Sequence, residues 1–289
     1  MVSNVMVWTS FLLDGAVTPA DNQAVFGVIP GPGNNEILAN RKGNALAGGS
    51  TSSIVGEGLD PATVPVFRAT LKGVPSSENE ALGHGLHPSS VAWKKGDLPS
   101  AFDPAFGAGV KQVRLLKYWP VGILKVIYLA KVAGPGVNAA NDCALFLWEA
   151  GAPTLTLLRE GDYAPGCDCP KVGVIQHVDV EPSNGRYVVL TSLTGSSAAN
   201  QALFTGDASA GDNSTKRALR LPSVQLRKGT GYQAPTGTTT KILSMTFANT
   251  TDAAGTGAKG GPQVIDSSGR VTMCLQFTDK AKHLVTGVP

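Results

Sequence analysis

The chain has 289 residues, 42% of them hydrophobic and only 16% charged, with 35 glycines, 19 prolines and a formal net charge of +3. So small a charge, carried partly by the scattered pairs Arg41-Lys42, Lys94-Lys95 and Arg227-Lys228, makes no case for a nucleic-acid surface, which needs clustered cations among stacking aromatics. No stretch reaches the roughly 18 uninterrupted apolar residues of a membrane helix, and the richest, 121–133, is broken by Lys125 and Lys131.

Strong helix formers never gather at helical spacing, whereas short β-branched and aromatic runs recur between Gly/Pro turns, so the chain reads as all-β. In chain order, the first module (1–43) offers strands at 5–11, 23–29 and 35–38 and closes on Arg41-Lys42-Gly43-Asn44. The run at 5–13 has no basic residue before it, so it reads as a strand, with a signal peptide as the alternative. The second module (44–97) has strands at 53–55, 64–71, 80–82 and 91–97, and the third (98–162) at 110–119, 124–132, 143–148 and 155–162. The fourth (163–229) repeats the plan at 172–180, 186–193, 201–204 and 224–229. The fifth (230–289) has 241–247, 270–277 and 283–285 and lacks a fourth strand. Ser183-Asn184-Gly185 and Ser267-Ser268-Gly269 stand before second strands as hairpin turns that tolerate positive φ.

Closing glycines at 43, 96, 161 and 229 are 53, 65 and 68 residues apart. Four strands repeated at this interval are the pattern of β-propeller blades, each of which buries its faces against its neighbours. The expected fold is a single β-propeller of about five four-stranded blades; a β-sandwich or a β-helix is the alternative.

The fullest closing turn is Arg159-Glu160-Gly161-Asp162-Tyr163-Ala164-Pro165-Gly166, and the fullest second strand is Val66-Phe67-Arg68-Ala69-Thr70-Leu71. These resemble the blade ending R-E-G-D-x-A-P-G and the strand V-x-F-x-A-x-L of an uncharacterised β-propeller-like repeat family of exported bacterial proteins, many with PEP-CTERM or other anchor tails. The resemblance implies a propeller-like extracytoplasmic or secreted protein and supplies no catalytic residues. Gly43 and Gly229 depart from the pattern, since Asp follows neither.

The charged turn is better read as structural than as an acid/base site, because a blade needs its turn in every copy and a catalytic site is needed once. Gly161 would take the positive φ at the strand exit, Asp162 would accept backbone N–H bonds, and Arg159 would pair with a neighbouring blade or with Glu160, before Pro165 and Gly166 turn the chain. Four cysteines, Cys143, Cys167, Cys169 and Cys274, would make two disulfides in an exported protein, with Cys167 or Cys169 joined to Cys143 or Cys274 more readily than to each other. Cys143 and Cys274 also fit buried thiols. Zinc at Cys167 and Cys169 lacks a second close pair, with only His177 nearby.

His84 and His87 lie three apart without the helix and glutamate of a metalloprotease and read as incidental loop residues. Residues 255–261 have the wrong spacing for a phosphate loop, and Asn213 and Asn249 open acceptor-type triplets that mark exposed loops. No nucleophile elbow is present, and no signature pairs Asp103, Glu149, Asp179 or Glu181 as glycosidase carboxylates. The expected function is therefore a non-enzymatic binding or structural surface module that needs no cofactor or metal. It would meet a protein or glycan partner through the loops 73–90, 97–109, 134–142, 205–217 and 249–262. The alternatives are a carbohydrate-active hydrolase with carboxylates in the propeller funnel, and a subunit of a larger or homo-oligomeric assembly.

Overall fold

The computed structural model of the chain describes residues 7–12, 17–29, 35–62, 64–86, 88–165, 170–209, 217–233, 237, 239–247 and 264–287. Strands take 57% of these residues and helix 6%, so the fold is all-β. Every described sheet is antiparallel, with its strands in chain order. The first sheet is β1 (Val7–Phe11), β2 (Gln23–Ile29) and β3 (Asn35–Arg41). The second is β4 (Ala45–Leu46), β5 (Gly49–Leu59), β6 (Pro65–Lys72), β7 (Glu80–His84) and β8 (Ser90–Lys94). The third is β9 (Lys111–Pro120), β10 (Lys125–Ala133), β11 (Cys143–Glu149) and β12 (Leu155–Arg159). The fourth is β13 (Val172–Val180), β14 (Arg186–Leu193), β15 (Gln201–Asp207) and β16 (Ser223–Arg227); the fifth is β17 (Gly231–Gln233), β18 (Thr239–Phe247), β19 (Val271–Phe277) and β20 (Lys282–Gly287). Contacts gather the chain into two compact units, the first holding β1 to β10 with Leu147–Thr154 and the second holding Gly136–Phe146 with β12 to β20.

Side-chain chemistry explains which faces are covered. β11 is apolar from Cys143 to Trp148 and β10 is apolar apart from Lys125 and Lys131, and both are buried on both faces over those apolar stretches, whereas β19 alternates Val271, Met273, Leu275 and Phe277 inward with Thr272, Cys274 and Gln276 outward. In the second unit Leu190 and Leu203 of the fourth sheet pack on Ile242, Met245, Met273 and Leu275 of the fifth. In the first unit Val25 packs with Ile54, Phe67 and Ala69 of the second sheet. Leu284 stands where Leu203 stands one sheet earlier, yet it is 68% exposed against 1%.

Each closing turn is tied to the first long strand of the next sheet by two reciprocal backbone bonds. The N–H groups of Gly43, Gly96, Gly161 and Gly229 donate to the carbonyls of Thr51, Gln112, Val172 and Ile242 at 2.7 to 2.8 Å. The N–H groups of those four partners donate back to Asn44, Asp97, Asp162 and Thr230 at 2.8 to 3.0 Å. All four glycines have positive φ, between 86° and 93°, the region where only glycine is unstrained. Two glutamines add a second tie. The amide of Gln23 brackets the backbone of Ile54 with two bonds of 2.9 Å, and that of Gln201 brackets Met245 at 2.8 and 2.9 Å.

These bonds correct the reading of the first module. Just before the closing glycine, the N–H of Lys42 donates to Gln23, as Lys95 does to Glu80, Glu160 to Cys143 and Lys228 to Gln201. β2 therefore corresponds to the third strands, as Gln23-Ala24-Val25 beside Gln201-Ala202-Leu203 also shows, and not to the second strands. β3 takes the fourth place, and Lys42, Gly43 and Asn44 form the turn that ends it, not a strand. The two kinds of strand share an apolar composition, so only their hydrogen-bond partners separate them.

Three tyrosines, Tyr118 of β9, Tyr128 of β10 and Tyr187 of β14, are buried, and the Tyr187 hydroxyl donates to the Arg220 carbonyl at 2.5 Å. Burial pushes all three phenols well above the ordinary tyrosine range. In the unfolded chain a phenol ionises at about pH 10, while the folded chain keeps its proton beyond that. Their stabilisation is thus complete below about pH 10 and is lost as pH rises above it, by up to about 1.4 kcal/mol per pH unit for each tyrosine. Denaturant midpoints taken from about pH 8 to pH 11 should be level at first and then fall; a profile level throughout would mean that the phenols titrate in the folded state as they do in water.

Candidate functional site

A cavity of about 510 Å³ opens in the first unit beside the second closing turn. β8 brings Trp93 to it, the turn brings Asp97, β9 brings Gln112, β10 brings Tyr128, and Trp148 and Thr154 complete the wall with Phe102. The chain after the turn is stiffened by two short 3₁₀ turns, Pro99–Ala101 and Pro104–Phe106, the second capped by the Asp103 carboxylate, which accepts the Ala105 N–H at 3.1 Å. The paired bonds of Gly96 and Asp97 with Gln112 lock the two sides together, so the cavity is held by the repeat's own tie.

Trp93 is 1% exposed and Gln112 is 2% exposed, and neither the indole Nε1–H nor the amide Oε1 has a hydrogen-bond partner among the described residues. A buried donor and a buried acceptor left open are each costly, by about 1–3 kcal/mol, unless water or a ligand meets them. The Tyr128 hydroxyl is bonded to Gln112 and Thr154. Two carboxylates lie on the same wall, and their environments differ. Glu78 is held below the ordinary glutamate range, first by its bond to Lys94 Nζ at 2.9 Å and then by that ammonium's charge. Asp97 is raised, first by partial desolvation at the cavity and further by Glu78, against the opposing pull of Lys94.

Most of the site residues read from the sequence lie elsewhere. Arg159 is buried at the end of β12, the Glu160 carboxylate accepts the Ile175 N–H at 2.8 Å, and the backbone groups of Gly161 and Asp162 meet Val172 in the reciprocal pair. Pro165 closes the described part of this turn; Gly166, Cys167 and Cys169 lie outside the described residues, as do His87, Asn213, Asn249 and residues 255–261. Cys143 is buried at the start of β11, Cys274 is a half-buried free thiol in β19, and no disulfide joins the two. His177 meets the Phe247 ring edge-on at 4.6 Å. Among the described residues no three His, Cys, Asp or Glu side chains gather as a metal site would require.

Compared with the models of known protein families the sequence matches none, and a comparison with curated proteins yields no match.

The remaining carboxylates named from the sequence have structural partners. Glu149 pairs with Lys125 at 3.2 Å, Asp179 accepts the N–H groups of Val264 and Ile265 at 2.6 and 3.3 Å, and Glu181 accepts from the Ser183 hydroxyl and the Asn184 N–H at 2.8 Å. His84 is a correction. It is the last residue of β7, not a loop residue, and its Nε2 lies 3.0 Å from Asp60 Oδ2 with both side chains buried. The loop 97–109 does line the cavity, whereas 73–90 contains the whole of β7. Trp93, Gln112 and Tyr128 went unremarked as site residues because each reads as an ordinary strand position; the one available signal was Asp97, which follows its glycine as Asp162 does.

Proposed function

We propose that the chain is a non-enzymatic ligand-binding repeat module whose cavity beside the second closing turn takes a neutral, hydroxyl-bearing ligand of the glycan class. The observation that carries this reading is that two buried groups without a hydrogen-bond partner among the described residues, the Trp93 indole N–H and the Gln112 amide oxygen, belong to residues that line one cavity. Adjacent sugar hydroxyls offer an acceptor to the first and a donor to the second, and the aromatic wall suits their C–H faces. The propeller reading rests on the repeated meander and on the turn-to-next-sheet bonds, each of which would join one blade to the following one. The resemblance of the 159–166 turn to exported repeat proteins supports an extracytoplasmic setting.

Titration of the chain with a panel of mono- and disaccharides, followed at the Trp93 indole resonance, tests the proposal. A binding sugar should move that resonance saturably, and Trp93→Phe, which keeps the ring packing and removes the N–H, should weaken it about tenfold. An indole resonance unmoved by the whole panel, or a sugar that binds Trp93→Phe equally well, would refute the site.

A second reading, a carbohydrate-active hydrolase, is favoured by one observation: Glu78 and Asp97 share the cavity while their carboxyls are displaced in opposite directions, as acid and base partners are. Turnover of a chromogenic glycoside that vanishes in Asp97→Asn would establish it in place of simple binding.

A further inference from the structure

The four closing turns share one geometry and differ in charge, and the fourth stands apart. At each, the corresponding positions are a loop residue two before the third strand and the pair of residues that precede the closing glycine. One residue follows the glycine, and one precedes the strand position to which the glycine is tied. In the second turn these positions hold Glu78, Lys94 with Lys95, Asp97 and Lys111, three cations against two carboxylates. The first turn, with Asp21, Arg41, Lys42, Asn44 and Ser50, has two cations against one carboxylate. The third, with Asn141, Arg159, Glu160, Asp162 and Lys171, has two against two. The fourth keeps all three cations, as Arg227, Lys228 and Lys241, and replaces both acids, with Ala199 where the second turn has Glu78 and Thr230 where it has Asp97.

In the structure the three cations of the fourth turn line one open groove of about 690 Å³ in the second unit, together with Ser197, Thr230 and Thr278. Arg227 Nε reaches the Ala199 carbonyl at 3.4 Å and Lys228 Nζ reaches the Asn200 amide oxygen at 3.2 Å, while Lys241 is exposed. No carboxylate is among the described residues that line the groove. Asp279, next to Thr278, is engaged in its own turn, accepting the Ala281 N–H at 2.9 Å. Lys228 and Lys241 bring like charges to the groove beside Arg227, and an anion that offers acceptors to the two ammonium groups relieves their repulsion.

We propose that this groove binds a tetrahedral oxyanion, a phosphate or sulfate group carried on a small molecule or a sugar. The cations supply the charge and the Ser197, Thr230 and Thr278 hydroxyls supply neutral donors, with the partly exposed Leu243 at the edge to meet an apolar or ring portion. The groove lies in the second unit and owes nothing to the neutral-ligand cavity of the first.

The experiment is a titration of the full chain at constant ionic strength with inorganic phosphate, inorganic sulfate, a sugar phosphate and a sulfated disaccharide, each sugar set against its uncharged parent. Backbone amide resonances report the site. Saturable shifts are expected at Thr230, Lys241 and Thr278 with the oxyanion-bearing probes and not with the parent sugars, and the arm that binds most tightly identifies the source of the group. The double variant A199E/T230D restores the carboxylates of the second turn and should weaken binding about tenfold or more, while Lys241→Gln, at an exposed position, should weaken it several-fold without moving the thermal midpoint. The Lys241→Gln result decides the matter if the double variant folds poorly. Shifts that do not saturate or that spread over lysines elsewhere, or undiminished affinity in Lys241→Gln, would overturn the proposal.

Discussion

Asp60→Ala is expected to destabilise the first unit by about 3–5 kcal/mol, because three groups lose their acceptor at a cost of about 1–3 kcal/mol each. Asp60 follows β5, and its side chain is completely buried. One carboxylate oxygen accepts the Val64 N–H at 2.8 Å; the other meets His84 Nε2 at 3.0 Å and the Leu124 N–H at 3.3 Å. The residue thus fixes the turn into β6, the end of β7 and the turn into β10 at once. Alanine leaves two backbone donors and an imidazole nitrogen without an acceptor in a site where His84 also packs at 5.4 Å on Trp148. Asp60→Asn keeps one acceptor oxygen and should lose less, about 1–3 kcal/mol. Urea midpoints of the two variants measure the difference. A loss below about 1 kcal/mol for alanine would mean that water replaces the carboxylate and that the pair does not organise this corner.

Gly229→Ala is the second large effect, expected at about 2–5 kcal/mol. The residue has φ of 86°, which strains any L side chain by about 1–2 kcal/mol. A Cβ there would also lie 2.7 Å from the Ala198 carbonyl oxygen, a backbone atom that cannot swing aside. Overpacking of this kind adds roughly 1–3 kcal/mol, and relief by moving the turn would break its bonds to Ile242. Gly73→Ala is the matched comparison, because Gly73 has φ of 80° and nothing within 4 Å of a built Cβ. It should show the backbone strain alone. Equal losses for the two variants would remove the close approach of loop and turn as the reason for glycine at the closing position.

The repeat has consequences for how function is arranged on this chain. The closing turn recurs because each sheet needs a tie to the next, and the reciprocal pair of backbone bonds supplies it whatever the neighbouring side chains are. The side chains around the tie are then free to vary. At the second turn they make a cavity with an open donor and acceptor, and at the fourth a cationic groove. The two proposed sites would sit on ordered backbone, where polar groups are held in place before a ligand arrives.

Strand existence was legible to within a residue or two for most elements. Residues 23–29, 172–180 and 186–193 are strands in full, because β-branched and aromatic residues between Gly, Pro and Asn turns have little other choice. The second closing turn was legible too, through Gly96 and Asp97. Its use was not. Trp93 and Gln112 are apolar-run and strand residues in one dimension, and they come to line one cavity only because β9 crosses back to the turn that follows β8. His84 and Asp60 are 24 residues apart with a Gly/Pro loop beside each, so nothing local marks them as a buried pair.

What the sequence by itself determined is therefore the all-β class, the meander order and the positions of the closing glycines, since these rest on local propensity, on turn chemistry and on a period that repeats. The tertiary structure alone decided that β2 is a third strand, because strand identity is a matter of hydrogen-bond partners and the two strand types share a composition. It also decided which carboxylates are spent on turns and which face a cavity, and that the three cations of the fourth turn line one groove. Each of those depends on residues far apart in the chain, whose distances no pattern of neighbours can encode.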